Sequence, residues 1–445
     1  MKHKYIGKIS IMTMIFALFV SFIAASPKPA DAASTVNLKA KSAILVDADS
    51  GKILYEKNAD QALPPASMTK MMTEYIVLEA IKKGDISWDT TTQISDYAYS
   101  ISGNATFSGV GLTQDKNYTV KELYKAMAIN SDNGTTIALA ELVAGSEGNF
   151  VKMMNKKAKE MKLPDYKFVN SSGLDNESLG KNYPKGTDPD GVDMLSARSA
   201  ALLAYHLVND FPEALEYSSM PKAKFDKQTI TNWNWMLPHH TVNFDQYYYE
   251  GVDGLKTGHT DLAGYCFTAT AERDGHRLIS VVMKTNSEDT RFKETAKLLD
   301  YGYSQFGQKN LFPTGYQLKG KKTLPVVKGK EDTVDIATNN DFKVLLKKGE
   351  EKKYKITYHI DKSKLNEDGQ LVAPVKKGEK LGTAEIVYKG KDLGYINGKT
   401  GSQIDLVATK SVDKSNWFML ALGALGDFFT NLFSSAVDMV KGWFS

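Results

Sequence analysis

The sequence predicts a mixed α/β (α+β) domain, then a small all-β domain and a terminal amphipathic helix, and three observations carry that reading. Across residues 39–307, helical periods such as 120–127 alternate with strand-like runs at 43–47 and 278–283, the pattern of helices layered on a sheet. Across residues 309–415 the chain is lysine-rich. Its short runs, at 333–336 and 354–358, are separated by glycine-containing turns at Lys377-Gly378-Glu379 and Asn397-Gly398, as in a small β-domain. From residue 416 onward, Asp427, Asn431, Ser434, Asp438, Lys441 and Ser445 recur every three or four residues. They make one narrow polar stripe on a helix that is otherwise apolar.

At 445 residues the chain has room for two or three domains of roughly 100–200 residues each. Its 42% hydrophobic and 24% charged residues are those of a globular protein, which excludes a disordered or fibrous chain. Lys and Arg number 56 against 52 Asp and Glu, a net +4; the first 32 residues hold four lysines and one aspartate, which leaves 52 against 51. So balanced a chain lacks the concentrated basic field that nucleic acid demands, and no nucleic-acid partner is expected. The single cysteine, Cys266, allows neither an internal disulfide nor a cysteine metal cluster, and is expected as a small buried strand residue. No cofactor or metal is expected.

Both ends carry membrane-related signals. Lys2, Lys4 and Lys8 precede an uncharged apolar run at 9–25, and Ala30-Asp31-Ala32 offers small residues at the −3 and −1 positions of a secretory signal peptide. A transmembrane anchor is the alternative, but the run barely supplies the about 20 apolar residues that span a bilayer. Pro27 and Pro29 before the small-residue site favour cleavage near Ala32. The terminal stretch is interrupted by charge too often to span. With Trp417 and Trp443 near its ends, it suits a helix lying in the membrane interface, the alternative being a helix packed on the protein's own core. The expected division is a signal peptide at 1–32, a chemistry-bearing domain at 33–307, a β-rich domain at 308–411 and an amphipathic membrane-anchoring helix at 412–445.

Three short motifs fall in the first domain. Pro64-Pro65-Ala66-Ser67-Met68-Thr69-Lys70 leads into an apolar helical run at 71–78, and two prolines before a serine mark a helix start. Ser67 then stands near orphan N–H groups, with Lys70 one turn on, where a lysine made neutral by burial and a nearby cation can take the serine's proton. Ser219-Met220-Pro221-Lys222 and Ser411-Val412-Asp413-Lys414 share the Ser-x-x-Lys spacing and read as capping serines with exposed lysines. Ser131-Asp132-Asn133 follows a helical run and can turn a hydroxyl and an amide toward one cleft; Ser102-Gly103-Asn104 shares its pattern. Lys256-Thr257-Gly258-His259-Thr260 precedes a strand at 265–271. Gly258 admits close approach of a substrate backbone, Lys256 adds positive charge, and the His259 N–H is a candidate oxyanion donor. Lys399-Thr400-Gly401 is a decoy in the β-domain.

The combination and order of these motifs are those of penicillin-binding proteins and class A β-lactamases. The sequence resembles the low-molecular-mass penicillin-binding proteins, specifically secreted D-alanyl-D-alanine carboxypeptidases of the type-5 kind. The flanks at 47–55, 168–174 and 253–260 match as well, and the likeness spans nearly the whole chain. It implies a β-lactamase/transpeptidase-like catalytic domain that removes the terminal D-alanine from peptidoglycan stem peptides and is acylated by β-lactams. It implies Ser67 as nucleophile, Lys70 as its base, Ser131 as proton relay and Asn133 as holder of the substrate amide. Lys256, Thr257 and Arg291 would engage the substrate carboxylate, a surface ion pair being the alternative for Arg291, and the Ser67 and His259 N–H groups would form the oxyanion hole. Ser199, where such proteins commonly carry Asp, departs from the pattern. A serine β-lactamase would share the motifs, but the Glu-x-x-Leu-Asn element of class A enzymes is absent; Lys362-Ser363-Lys364-Leu365-Asn366 is the nearest segment. A non-catalytic penicillin sensor or scaffold would need transmembrane helices and a cytoplasmic effector.

Overall fold

The structure, a computed structural model, describes residues 36–398 and 403–416. The expected signal peptide, and the expected terminal helix from residue 417 on, lie outside the described residues. Among the described residues no helix is long and apolar enough to cross a membrane.

The first domain is built on a five-stranded antiparallel sheet of β1 (Ser42–Asp47), β2 (Ile53–Lys57), β3 (Val252–Thr260), β4 (Gly264–Arg273) and β5 (His276–Thr285), in the order β3-β4-β5-β1-β2. β1 is apolar from Ala43 to Val46 because both its faces are covered: all six of its residues are buried. It pairs with β5 through Ile44↔Val281 and Leu45↔Ser280. Cys266 lies wholly buried in β4, as its lone occurrence predicts.

Eight α-helices among the described residues surround the sheet and build a helical region beside it: α1 (Lys70–Lys83), α2 (Asp96–Ser102), α3 (Val120–Asn130), α4 (Asn133–Ala144), α5 (Glu147–Glu160), α6 (Ala197–Asp210), the short helix Ala214–Ser218, and α7 (Glu288–Gln305). α6 packs on β1 and β5, and α7 on β4 and β5. α3 starts where it does because Thr119 and Glu122 form a reciprocal capping box, and α7 because Ser287 accepts the Thr290 N–H with Glu288 and Asp289 in the first turn. α1 buries Met71, Met72, Ile76 and Val77 against α4 side chains such as Ile137 and Leu139. Each such side chain is worth roughly 1.5–3 kcal/mol when fully withdrawn from water.

The β-rich domain holds β6 (Phe306–Phe312), β7 (Thr323–Val327), β8 (Thr333–Thr338), β9 (Phe342–Lys347), β10 (Tyr354–Ile360), β11 (Leu371–Val372), β12 (Lys380–Tyr388) and β13 (Gln403–Ala408). β6 pairs with β9, and the rest form one sheet in the order β10-β12-β13-β8-β7-β11. β10 shows the period of two that marks a half-buried strand: Tyr354, Ile356 and Tyr358 are buried, Lys355 and His359 exposed. Two boundaries differ from expectation. Phe306 opens β6 directly after α7, so residues 307 and 308 fall inside a strand. Val412 is buried and exchanges backbone hydrogen bonds with Val375, and Ser415 N–H reaches Lys328 O, so the β-domain continues past residue 411. One apolar residue in a polar tail has no periodicity to announce it.

The β-domain is tied to the turn between β1 and β2. Ile53 N–H donates to Gly394 O at 2.9 Å and Ile396 N–H to Gly51 O at 2.7 Å. The Lys52 ammonium sits over the Tyr354 and Tyr388 rings, 5.3 and 5.1 Å from their centroids, a cation–π pair of contacts worth about 0.5–2 kcal/mol each.

α7 approaches the sheet closely at Gly302, where an added Cβ would lie 2.5 Å from Leu278 Cδ1 and 2.9 Å from Leu45 Cδ2. Gly302→Val should therefore destabilise the protein by about 1–3 kcal/mol and lower its melting temperature by about 2–4 °C per kcal/mol. Calorimetry that finds an unchanged melt contradicts this packing.

Candidate active site

Ser67 is not on an α-helix but on a tight 3-10 turn, Ala66–Thr69, that precedes α1. The turn begins at Ala66 with φ +48°, a left-handed conformation costly for a residue with a Cβ. Gly173, itself at φ +86°, backs it so closely that a Cβ there would lie 2.0 Å from Ala66 O. Lys70 opens α1, fully buried. Its Nζ lies 3.0 Å from Ser67 Oγ, 2.7 Å from Asn133 Oδ1 and 2.7 Å from Ser172 O. The last two can only accept. A neutral amine gives both its N–H groups to them and turns its lone pair to the serine hydroxyl. Burial, and then the positive charge of Lys256, push the Lys70 amine well below the ordinary lysine range. A base and its proton source are thus in contact.

Ser131 ends α3 in the left-handed region (φ +62°), and Asn133 is the first residue of α4. The turn between them is held by Asp132, which accepts from Ser102 Oγ at 2.9 Å, from Val110 N–H at 2.6 Å and from Thr135 N–H. Ser102, whose Ser-x-Asn pattern imitates the motif, therefore supports it from behind. The Ser131 hydroxyl is buried without a hydrogen-bond partner among the described residues, and the residue lines the cleft. A buried polar group left open in this way is rare and marks a place kept for another molecule.

β3 is an edge strand, paired with β4 through Lys256↔Thr268, Thr257↔Phe267 and Gly258↔Cys266. Its other edge meets the Ser67 turn. A Cβ on Gly258 would lie 2.4 Å from Pro65 O and 3.2 Å from the Ser67 and Met68 nitrogens, so only glycine lets the strand cross there. Lys256 is buried; its Nζ donates to Thr257 O at 3.4 Å. Arg291, in the first turn of α7, is 2% exposed rather than part of a surface ion pair. Its guanidinium donates to Glu288 Oε1 at 2.8 Å and to Gly258 O at 3.3 Å, and faces the Phe292 and Tyr265 rings. Burial pulls its pKa down to about 10, against the pull of Glu288.

The structure gathers all nine predicted residues. Ser67, Ser131, Asn133, Thr257, Gly258, His259 and Arg291 line one cleft of about 300 Å³, and Lys70 and Lys256 lie buried at it. The decoys stand apart. Ser219 ends the short helix Ala214–Ser218, and Ser411 Oγ accepts the Lys377 N–H in the β-domain. Lys399-Thr400-Gly401 lies outside the described residues. Ser199, at the departure from the expected pattern, accepts the Asp165 N–H and the Ser196 hydroxyl away from the cleft, a structural role.

Several residues escaped sequence reasoning. Asp193 accepts from Thr69 Oγ1 at 2.9 Å and from the Val169 and Asn170 N–H groups at 2.6 and 3.3 Å, pinning the segment whose Ser172 carbonyl holds Lys70; burial pushes its pKa up to about 7. Phe107, Leu174, Trp233, Tyr265 and Glu288 complete the cleft wall. Nothing local marks Trp233, whereas the signal that could have found Glu74 is its carboxylate inside the run read as apolar at 71–78.

Residues 28–287 match the model of the peptidase family described as D-alanyl-D-alanine carboxypeptidase, and residues 306–414 that of the penicillin-binding protein 5 C-terminal domain. The chain belongs to the D-alanyl-D-alanine carboxypeptidase family. It is 32% identical to D-alanyl-D-alanine carboxypeptidase DacF of Bacillus subtilis over 390 residues, 87% of this chain and 90% of that protein. Among solved structures it is similar to a peptidoglycan synthesis regulatory factor (PBP3) from Streptococcus pneumoniae, with TM-score 0.71 and 36% identity over 84% of this chain and all of that one. It is similar also to penicillin-binding protein D2 from Listeria monocytogenes in the ampicillin-bound form, with TM-score 0.51 and 33% identity over 60% of this chain and 99% of that one. The family's two-domain arrangement, a helix-and-sheet catalytic domain and an all-β second domain, is the one described above.

Gly258→Ala forces β3 away from the Ser67 turn. Displacing reacting groups by about 1 Å can cost on the order of 10²-fold in rate, so acylation by a penicillin should slow by that order while circular dichroism shows a folded protein. Acylation at the unaltered rate contradicts the close crossing.

Proposed function

We propose that the protein is a serine-type D-Ala-D-Ala carboxypeptidase that removes the terminal D-alanine from peptidoglycan stem peptides through a Ser67 acyl-enzyme, and so limits cross-linking. The observation that carries this is the 3.0 Å contact between Ser67 Oγ and the fully buried Lys70 Nζ, a nucleophile with its base in hydrogen-bond reach. Family membership supports the reaction class.

The neutral Lys70 amine takes the Ser67 proton as the hydroxyl oxygen attacks the carbonyl carbon of the penultimate D-alanine. Negative charge gathers on that carbonyl oxygen, and the Ser67 and His259 N–H groups, on the turn and the strand that cross it, are the donors in reach. The unengaged Ser131 hydroxyl relays the proton from Lys70 to the departing nitrogen, the C–N bond breaks, and D-alanine leaves. Water then attacks the ester, and its proton returns through Lys70 as Ser67 is released. Asn133 holds the substrate amide. Lys256, Thr257 and Arg291 receive the terminal carboxylate, for which a lysine and an arginine in a buried site are strong partners. A β-lactam carbonyl takes the same place, and the ampicillin-bound Listeria relative supports that reading.

We infer further that the protein works outside the cytoplasm, held peripherally on the outer face of the membrane by its terminal helix. Support comes from the leader pattern of residues 1–32 and the narrow polar stripe after residue 416.

Ser67→Ala should abolish both D-alanine release from a diacyl-L-Lys-D-Ala-D-Ala peptide and the penicillin adduct seen by mass spectrometry, while Ser219→Ala retains both. An adduct that persists in Ser67→Ala ends the assignment. Truncation after Asn416, which spares the β-domain contacts of Val412 and Ser415, should release a soluble enzyme of unchanged turnover on that peptide. Sedimentation of the truncated mature form with membranes rules out the helix as anchor.

A further inference from the structure

The mechanism above asks opposite things of two neighbouring buried lysines. Lys70 has to be an uncharged amine, and Lys256 has to be an ammonium that meets a carboxylate. An ammonium with 3% exposure needs an anion close by. Hydrogen bonding does not supply one, since among the described residues Lys256 Nζ donates only to the Thr257 carbonyl, at 3.4 Å. Asp132 and Asp193 are each engaged by three donors of their own, two of them backbone N–H groups.

Glu74 is placed differently. It is 2% exposed and lies four residues after Lys70 on α1, so the two share one helix face, and α1 packs against β3, which carries Lys256. Its carboxylate can accept about four hydrogen bonds, yet among the described residues it accepts one, from Tyr124 Oη at 3.3 Å. Among the described residues no hydrogen bond or ion pair joins Glu74 to Lys256, and the two charges act on one another across the buried space between α1 and β3. Burial lowers Lys256 and Glu74 is the first of the charges acting on it, raising it, while Arg291 pulls it down. Burial raises Glu74, and Lys256 leads the groups that draw it back, ahead of Tyr124 and Lys70.

We propose that Glu74 is a positioning residue of this active site: a buried counter-ion, held by Tyr124, that keeps the Lys256 ammonium in place for the substrate carboxylate while the adjacent Lys70 stays an amine. The proposal rests on the carboxypeptidase reading above. The charged and titratable groups facing this cluster are Lys70 of α1, Tyr124 of α3, Asp132 and Asp193 of the flanking turns, Lys256 of β3 and Arg291 of α7. With the Glu74 charge removed, both lysines lose a proton more easily. Lys70 then becomes a base at lower pH, which moves the acid limb of the rate profile down. Lys256 loses its charge at lower pH, which moves the alkaline limb down too. The whole profile travels toward acid.

The test is the pH dependence of kcat/KM for D-alanine release from diacyl-L-Lys-D-Ala-D-Ala by the full mature chain, as wild type, Glu74→Gln and Tyr124→Phe. Glutamine keeps the shape and the acceptor for Tyr124. Both limbs of Glu74→Gln should move toward acid by about one pH unit, the low end of the about 1–3 units that a nearby opposite charge is worth, with KM at pH 8 raised by about tenfold. Tyr124→Phe, which loses the bond that favours the Glu74 carboxylate, should shift the same way by less. A Glu74→Gln profile lower in height with both limbs at their wild-type pH overturns the proposal, because a merely structural role moves height alone. If Glu74→Gln fails to fold, unmoved limbs in Tyr124→Phe overturn it equally. A folded wild-type chain that releases no D-alanine refutes the carboxypeptidase reading itself, and the role of Glu74 falls with it.

Discussion

Burying Lys70 completely means that every atom around its Nζ has to be a partner, because bulk water cannot fill a gap there. Much of the first domain can be read as the means of meeting that demand. Ser172 O is delivered by the segment that Asp193 clamps through the Val169 and Asn170 N–H groups, and Asp193 is tied in turn to Thr69 beside the lysine. Asn133 Oδ1 is delivered by the turn that Asp132 holds. Ser67 is delivered by a strained 3-10 turn against which Gly173 and Gly258 both press. Three separate stretches of chain thus converge on one amine, and each is fixed by a carboxylate or a close backbone contact rather than by apolar packing alone. Buried carboxylates are costly on their own. Here their cost is offset by the backbone N–H groups they satisfy.

How much of this was legible in the sequence depended on the range of the signal. β1, β4, β5, β8 and β10 announced themselves by composition and period, because each runs through the core and is mostly apolar where it is buried. The Ser67, Ser131 and Lys256 motifs were legible because each is local: a turn, a helix junction and an edge strand carry their chemistry within five residues. Their decoys were separable only by order and domain, since Ser102-Gly103-Asn104 shares the Ser-x-Asn spacing of the true element and differs in what folds around it. Arg291 could be named only through the family resemblance. Its burial follows from α7 starting three residues after the end of β5, which swings the first helical turn over Gly258, and no short-range pattern encodes that. Trp233 and Glu288 were unreadable for the same reason: they belong to the site only through tertiary approach. Val412 shows the converse, a single buried valine whose pairing with Val375 carries the β-domain past its expected end.

The edge position of β3 joins these constraints to the chemistry. An edge strand presents unpaired N–H and C=O groups, and proteins usually blunt such an edge because it invites pairing with another chain. Here one stretch of the edge is closed by the Ser67 turn, which reaches within 2.4 Å of the space above Gly258, and the remainder opens into the cleft. The feature that would be a liability elsewhere becomes a template, since an extended peptide can lie along β3 by main-chain hydrogen bonds alone. Such binding fixes the register of a scissile bond relative to Ser67 without reading side chains. Discrimination then has to come from the end of the peptide. On the function proposed above, Lys256, Thr257 and Arg291 are the groups that would recognise a free carboxylate there, so that a chain terminus is chosen where the strand alone would accept any extended segment.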